Sequence, residues 1–293
     1  MFEIIVGVFE QGFIYGIMAL GVYISYKILN FPDLTVDGSF PLGAAVTAVL
    51  LTAGVNPWIA LVLSFFVGIF AGLITGIIHV KLKVTDLLSG ILVMTALYSV
   101  NYRIAGKKAN IPIFDSDTIF NSGLAKLFPP ELSGFVVLFI VFIVALLMKF
   151  ALDWYLSTKS GFLLRATGDN KQFVTSIAKD YGTVKIIGLA ISNAFVAMSG
   201  SVVCQQQKLF DISMGTGTIV MGLAAVIIGL NVFKPLGFLK LTTMVLGGSI
   251  IYKACIAIAF EVGFDNADIR LITAVLFLIA LIANGKVIKI REE

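Results

Sequence analysis

Two short stretches of this 293-residue chain combine carboxylates, hydroxyls and glycines in the same order. The first stretch contains Asp33, Thr35, Asp37, Gly38 and Ser39. The second contains Asp211, Ser213, Gly217 and Thr218. Side chains of these types bind small polar solutes, and Asp, Ser and Thr also cap helices by accepting hydrogen bonds from backbone N–H groups. The residue types alone therefore permit two interpretations, a ligand pathway or helix capping.

The sequence contains no grouping typical of catalysis. It has no glycine-rich nucleotide-binding loop and no nucleophile motif. His79 is the only histidine, and Cys204 and Cys255 lie in apolar surroundings without metal-binding spacing. We predict that the chain is not an enzyme and has no catalytic residue, metal or cofactor. If ATP drives its activity, another chain must bind the nucleotide.

The composition is that of a membrane protein. Mean hydropathy is +1.02, and only 13% of the residues are charged, roughly half the share in soluble domains. Nine apolar runs are long enough to cross, or nearly cross, a bilayer: 3–26, 38–53, 57–79, 87–104, 134–151, 184–204, 216–232, 236–258 and 269–285. We predict an all-α polytopic protein with about nine transmembrane helices, of which the second and the seventh are short.

The longest polar stretch runs from Asp153 to Lys185 and is rich in basic residues. Basic loops stay on the cytoplasmic side of a membrane because their translocation is disfavoured. Counting spans from this loop places the N-terminus and the connection 105–133 outside, and the basic C-terminal tail inside. The basic residues thus follow the topology, so a sequence pI of about 9.0 does not indicate a nucleic-acid partner.

A helix of about three turns is predicted within this polar stretch. Asp169 or Asn170 can cap its start, and Gly182 can end it. One side of this helix carries an apolar stripe, formed by Phe173, Val174, Ile177, Ala178 and Tyr181. Such a stripe packs on helix ends of the same chain or in the lipid headgroups, or it docks in a groove of a second protein.

The two polar stretches belong to a longer internal repeat. Phe31 to Thr35 corresponds to Leu209 to Ser213, 178 residues later, and Pro57 corresponds to Pro235 at the same offset. The predicted topology puts the two copies on opposite sides of the membrane, so the halves are inverted, as in many alternating-access transporters. We predict one domain, 1–293, made of a first half with an extra helix (1–151), a cytoplasmic loop (152–185) and an inverted second half (186–293).

Both copies of the repeat precede a short span. Interrupted spans at matching positions of two halves are a good pointer to a substrate path. We therefore predict that the polar and glycine residues of the two stretches line the pathway. Capping by Asp33 or Asp37 and by Asp211 of the helices that follow remains the alternative.

Two further features of the spans permit predictions. Gly68, Gly72 and Gly76 form a small-residue stripe, which favours close packing against a neighbouring helix of the same chain. Lys253 lies near the outer end of its span and can extend to the interface. The outer connection 105–133 is interpreted as a lid or docking surface, or as a plain loop.

The chain resembles a known family over nearly its full length, and two segments carry this resemblance most clearly. They are Leu29-Asn30-Phe31-Pro32-Asp33 followed by Gly38, and Arg165-Ala166-Thr167-Gly168-Asp169-Asn170 with Ala178 and Tyr181-Gly182. Both resemble the permease subunits of ABC importers of the branched-chain amino acid permease superfamily. Asp-Leu-Thr-Val-Asp-Gly-Ser at 33–39 is similar to the tryptophan/tyrosine branch.

The resemblance implies a permease subunit, as a homodimer, with two ATPase subunits on the cytoplasmic side and a substrate-binding protein outside. In that arrangement Gly168 to Gly182 is the coupling segment, of which Phe173 to Tyr181 enters a groove on the ATPase. The expected function is import of a small solute, an aromatic amino acid, across the cytoplasmic membrane by alternating access. The alternatives are a stand-alone secondary carrier or channel, and an ABC permease for a sugar or nucleoside.

Overall fold

The computed structural model describes residues 2–128, 134–169, 181–265 and 268–283, which are almost entirely helical. The first half contains α1 (Phe2–Val22), a π-helical turn (Tyr23–Ile28), α2 (Val36–Thr52), α3 (Pro57–Lys81) and α4 (Asp86–Ile104). A connection follows with the short strand β1 (Asn110–Pro112) and a 3-10 turn (Gly123–Leu127). Next come α5 (Val136–Ser157) and α6 (Lys159–Asp169). The second half contains α7 (Tyr181–Gln207), β2 (Leu209–Asp211), α8 (Thr218–Val232), α9 (Leu241–Glu261) and α10 (Ile269–Ala283).

The prediction of a polytopic all-α membrane protein is confirmed. Within the described ranges, six helices are long and apolar enough to cross a membrane, and three shorter apolar helices accompany them. The second and seventh predicted spans correspond to the short helices α2 and α8, and the third short helix is α10. Large apolar side chains such as Phe66, Phe70 and Leu278 are exposed on the outer surface of the bundle, as expected where lipid replaces water.

Helices extend into the polar stretch 153–185 from both sides. Helix α5 continues through Asp153 to Ser157, and α7 already includes Tyr181, Gly182 and Lys185. The prediction that Gly182 ends a helix is wrong. Gly182 has no positive φ and lies buried within α7, because the apolar run after it continues as a membrane-spanning helix. The predicted capping of a helix by Asn170 lies outside the described residues, and Asp169 is the last residue of α6.

The two halves pair their helices in the same way. The first helix of each half packs on the third helix of the other half, α1 on α9 and α7 on α3. Within each half the second helix packs on the third and fourth, α2 on α3 and α4, and α8 on α9 and α10. The first helix of each half therefore packs within the other half.

The two first helices run antiparallel through the centre of the bundle. Ser192 Oγ of α7 donates to the Gly21 carbonyl of α1 (2.7 Å), and Ser199 Oγ donates to the Ile14 carbonyl (2.7 Å). Near the far end of α7, Gln11 Nε2 donates to Gln206 Oε1 (3.1 Å). Later residues of α7 thus contact earlier residues of α1, so the two helices run in opposite directions. This is the arrangement expected for two inverted halves.

Glycines permit these helices to pack backbone against backbone. A methyl group at Gly72 of α3 would overlap the Leu189 carbonyl of α7, and one at Gly68 would overlap the Asn193 carbonyl. The stripe of Gly68, Gly72 and Gly76 thus faces α7 of the same chain, which confirms the prediction of internal packing. Gly12 and Gly16 of α1 meet α9 in the same manner.

Candidate substrate pathway

Both copies of the repeat reverse the chain with the same backbone geometry. Asn30 and Lys208, at matching positions, have positive φ values of 50° and 54°. Three residues later in each copy an aspartate closes a local turn: Asp33 Oδ1 accepts from Thr35 N (2.9 Å), and Asp211 Oδ1 accepts from Ser213 N (2.7 Å). This turn is a common local use of Asp, because its short side chain reaches the backbone two residues on. The repeat is therefore structural as well as sequential.

After each reversal the chain returns into the bundle before the short helix begins. Leu29 packs against Gly188 near the start of α7, whereas Asp33 already reaches Asn193 near its middle. In the second copy, Thr218 begins α8 beside Asp37, at the start of α2. The N-termini of α2 and α8 consequently meet inside the protein, which is the geometry of interrupted membrane helices.

The first copy forms a closed polar network around Asn193. Asn193 Nδ2 donates to Asp33 Oδ2 (2.7 Å), and Ser39 Oγ donates to Asn193 Oδ1 (2.6 Å). Thr35 and Thr75 share a hydrogen bond between their hydroxyls (2.8 Å). All five residues have 0% of their surface exposed. The network satisfies polar groups that would be costly to leave unpaired in the bundle interior.

Asp37 joins the two copies. Its Oδ1 accepts from Ile219 N (2.8 Å) and from Thr218 Oγ1 (3.0 Å), and its Oδ2 accepts from Gly217 N (2.9 Å). The carboxylate thus caps the N-terminus of α8, where the exposed N–H groups and the helix dipole favour a negative charge. The cap is supplied by the opposite half of the molecule. Gly217 assists with a left-handed φ of 82°, which a glycine adopts without strain.

The second copy borders a cavity of about 710 Å³. The cavity lies between α1, α8, α10 and the segment that precedes α8, and its lining includes Tyr15, Met214, Gly217, Thr218, Met221 and Arg270. Its size falls in the range of pockets that hold small molecules. This is the space near the predicted pathway that could accept a solute.

The predicted pathway residues therefore fall into three groups. Gly217 and Thr218 line the cavity. Asp37, Asp211 and Ser213 form the cap and the turn described above. Asp33, Thr35 and Ser39 belong to the closed network, and Gly38 packs against Leu97 of α4. The capping alternative thus describes Asp37, although the helix that it caps is α8 of the other half and not the one that follows it.

Several residues of this region were not predicted from the sequence. Asn193 and Tyr15 lie within apolar helices, but each stands at the position of the other when the repeat offset of 178 is applied. Lys253 was expected to reach the interface, yet its Nζ lies 3.5 Å from the centroid of the Tyr15 ring. Extending the repeat alignment into α1 and α9 would have drawn attention to these positions.

The described part of the predicted coupling segment adjoins the first copy of the repeat. Gly168, near the end of α6, packs against the Ile28 carbonyl, and Asn30 Nδ2 donates to the Gly168 carbonyl (3.3 Å). Beyond it, Lys185 of α7 bonds His79 of α3, with 2.8 Å between Nζ and Nε2. Asn170, Phe173, Val174, Ile177 and Ala178 lie outside the described residues.

The fold and these contacts define a polytopic membrane protein of two inverted halves with interrupted helices. Residues 4–283 match the family described as branched-chain amino acid transport system / permease component. The chain belongs to this family of transport permeases, which confirms the resemblance seen in its sequence.

Three relatives illustrate the range of the family. The chain is 44% identical to a tyrosine transport system permease protein of Clostridioides difficile (strain R20291), over 96% of this chain and 91% of that protein. It is 32% identical to an uncharacterized protein of Rickettsia prowazekii (strain Madrid E), over 95% and 97%. It is 24% identical to an autoinducer 2 import system permease protein of Salmonella typhimurium (strain LT2), over 76% and 61%. No solved structure matches the chain significantly.

Proposed function

We propose that this chain is the membrane-spanning subunit of an ABC importer for an aromatic amino acid, with tyrosine as the first candidate. The observation that carries the substrate class is the 44% identity to a tyrosine transport system permease over nearly both full lengths. The stretch Asp33 to Ser39, which resembles the tryptophan/tyrosine branch, supports the same class. The partners in this proposal are an ATPase subunit, an extracytoplasmic substrate-binding protein and a second copy of the chain.

In the proposed mechanism the two halves rock against each other around the meeting point of α2 and α8. ATP-driven closure of the ATPase subunits moves the coupling segment, Gly168 to Gly182, and with it the ends of α6 and α7. The contacts from Gly168 to Ile28 and Asn30 support this route, because they connect the coupling segment to the first copy of the repeat. Packed elements of this kind move as units between discrete arrangements.

Substrate class is tested by uptake. The chain is co-expressed with its ATPase and binding protein in a host that lacks aromatic amino acid uptake, and accumulation of labelled tyrosine, tryptophan, leucine and ribose is measured. We expect ATP-dependent accumulation of tyrosine or tryptophan, and none without the ATPase. Preferential uptake of ribose would support the sugar alternative instead, and uptake independent of the ATPase would support a secondary carrier.

Coupling is tested by a charge placed on the apolar stripe. Ile177→Asp should abolish tyrosine uptake while ATP hydrolysis by the assembled importer loses its dependence on the loaded binding protein, because a carboxylate in an apolar groove is costly. Gln172→Asp, in the same segment but off the stripe, is the matched control and should retain coupling. Equal coupling in both variants would show that the stripe does not dock on the ATPase.

A further inference from the structure

The two copies of the repeat differ in what fills the space beside them. In the first copy Asn193 and Thr75 complete a closed network with Asp33, Thr35 and Ser39. The residues that correspond to Asn193 and Thr75 at the repeat offset of 178 are Tyr15 and Lys253. Instead of a closed network, the second copy has the cavity of about 710 Å³. The open space therefore occupies the position that the polar network fills in the other half.

The Tyr15 ring is fixed as one wall of this cavity. Lys253 Nζ lies 3.5 Å from its centroid on one side, and Phe40 stacks on it with 5.9 Å between centroids and an interplanar angle of 18°. These contacts restrain the orientation of the Tyr15 ring beside the cavity. The Lys253 side chain thus lies behind this wall.

The cavity is positively charged and lacks a balancing acid. Arg270 is the charged residue of its described lining, and no described carboxylate lies within 4.0 Å of the guanidinium group. The Asp37 carboxylate lies behind Gly217 and is already used by three donors at the N-terminus of α8. The unused donors of an arginine fork bind a carboxylate in a bidentate manner.

The remaining lining suits an aromatic ring. Met214, Val220, Met221 and Ile269 provide apolar walls, and Thr216 adds a hydroxyl. Thioether sulfurs make favourable contacts with aromatic rings, and methionine side chains adapt their shape to the ligand. The lining thus combines a group that favours a carboxylate with side chains that favour an apolar group.

We propose that this cavity holds the aromatic amino acid during transport, with Arg270 binding the substrate carboxylate and Met214 and Met221 packing against the ring. The inference rests on the proposed import function and assigns the site to this chain, in addition to the binding protein. Arg270 is then the residue that selects an amino acid over an amine of the same shape.

The first test measures protection of a cysteine in the cavity. Thr216 is exposed and lines the cavity, so Thr216→Cys is introduced into an otherwise cysteine-free chain, and the complete importer is labelled with a maleimide in nanodiscs. Millimolar tyrosine should slow labelling several-fold, whereas tyramine, which lacks the carboxylate, should not. Arg270→Gln should remove the protection by tyrosine. Arg103→Gln, another exposed arginine in an outer region of the predicted topology, should keep it.

The second test measures uptake of subsaturating tyrosine. Arg270→Gln should reduce it about tenfold, the loss expected for one charge-assisted hydrogen bond. Ala274→Trp, which fills the cavity, should block uptake, whereas Ala96→Trp on an exposed face of α4 should not. If the wild-type importer accumulates tyrosine but these variants behave like their controls, the assigned site is wrong. If the wild-type importer does not accumulate aromatic amino acids, the proposed function fails and this assignment fails with it.

Discussion

At the residue scale, Asp37 is the side chain on which the junction of the two halves depends. It is partly buried and accepts three hydrogen bonds from the first turn of α8 and the residue before it. Because the donors belong to the second half and the carboxylate to the first, the bond is a cap and an inter-half contact at once. Separation of the halves at this point would expose two backbone N–H groups that have no other described partner.

We expect Asp37→Ala to lower the stability of the purified chain by about 1–3 kcal/mol, the usual effect of losing a cap together with buried partners. In a thermal unfolding assay in detergent this corresponds to a decrease in midpoint on the order of 5 °C. Asp37→Asn, which keeps one acceptor oxygen, should fall between the wild type and Asp37→Ala.

The matched control for Asp37 is Asp86→Ala. Asp86 also stands in the first turn of a helix and is half-buried like Asp37, but among the described residues its carboxylate accepts only from Leu87 N of the same helix (3.1 Å). Asp86→Ala should therefore shift the midpoint of thermal unfolding little. Equal shifts for the two alanine variants would mean that the inter-half cap adds nothing to stability.

Of the individual residues in this region, the turns of Asp33 and Asp211 could be predicted from the sequence, whereas the contacts of Asp37 and Lys253 could not. The correspondence of Asp33 with Asp211 was visible as a repeat, and both residues form the same turn. That Asp37 caps a helix 180 residues further along the chain was not visible, because caps are normally sought in the helix that follows. Lys253 was misplaced because span length suggests the interface, whereas an aromatic ring inside the bundle provides the partner.

At the scale of elements, the contact between α3 and α7 depends on backbone approach. Gly72 faces the Leu189 carbonyl so closely that even a methyl group cannot fit without a shift of one helix. Interfaces of this kind in membranes rely on van der Waals contact, because lipid is as apolar as the side chains that it replaces. The stripe of three glycines predicted this contact, and only its partner helix could not be read from the sequence.

Gly72→Val should therefore prevent the chain from being purified as a monodisperse species, since overpacking of a fixed interface costs about 1–3 kcal/mol or more. Size-exclusion chromatography after mild detergent extraction measures this outcome. Gly7→Val is the control, because Gly7 is also helical and has no atom of another element within 4 Å of an added Cβ. Normal behaviour of Gly72→Val would show that α3 and α7 can separate without loss of the fold.

The composition of the polar stretch between the halves does not show where the neighbouring helices end or which residues they contact. Asp153 looks like the start of a loop, but its carboxylate lies within α5, where it pairs with Lys149 (3.1 Å) and accepts from Thr242 Oγ1 (2.6 Å). A charged residue at a helix end was assigned to solvent because its partner in α9 is almost 90 residues away. The nine apolar segments, by contrast, were predictable because hydropathy measures the solvent that each segment requires.

At the scale of the whole molecule, we predict the orientation in the membrane from the basic residues of the stretch 153–185. We predict that Ser157 faces the cytoplasm and Asp115, in the connection after β1, faces outward. Both residues are exposed, so a cysteine at either position is accessible to a reagent.

Labelling in intact cells with a membrane-impermeant maleimide tests this orientation. Single cysteines are introduced at positions 115 and 157 after replacement of Cys204 and Cys255. Asp115→Cys should react in intact cells, and Ser157→Cys only after permeabilisation. The opposite pattern would invert the topology and remove the basis for placing the ATPase beside α6.

The exchange of first helices between the halves has a consequence for biosynthesis. The glycine face of α3 is covered by α7, whose described part begins 100 residues after α3 ends. During synthesis α1 to α4 therefore enter the bilayer without the helix that completes them, and α1 still lacks α9. The first bundle therefore stays incomplete until α7 and α9 have been synthesised, and a product truncated before them is expected to be a substrate for membrane proteases.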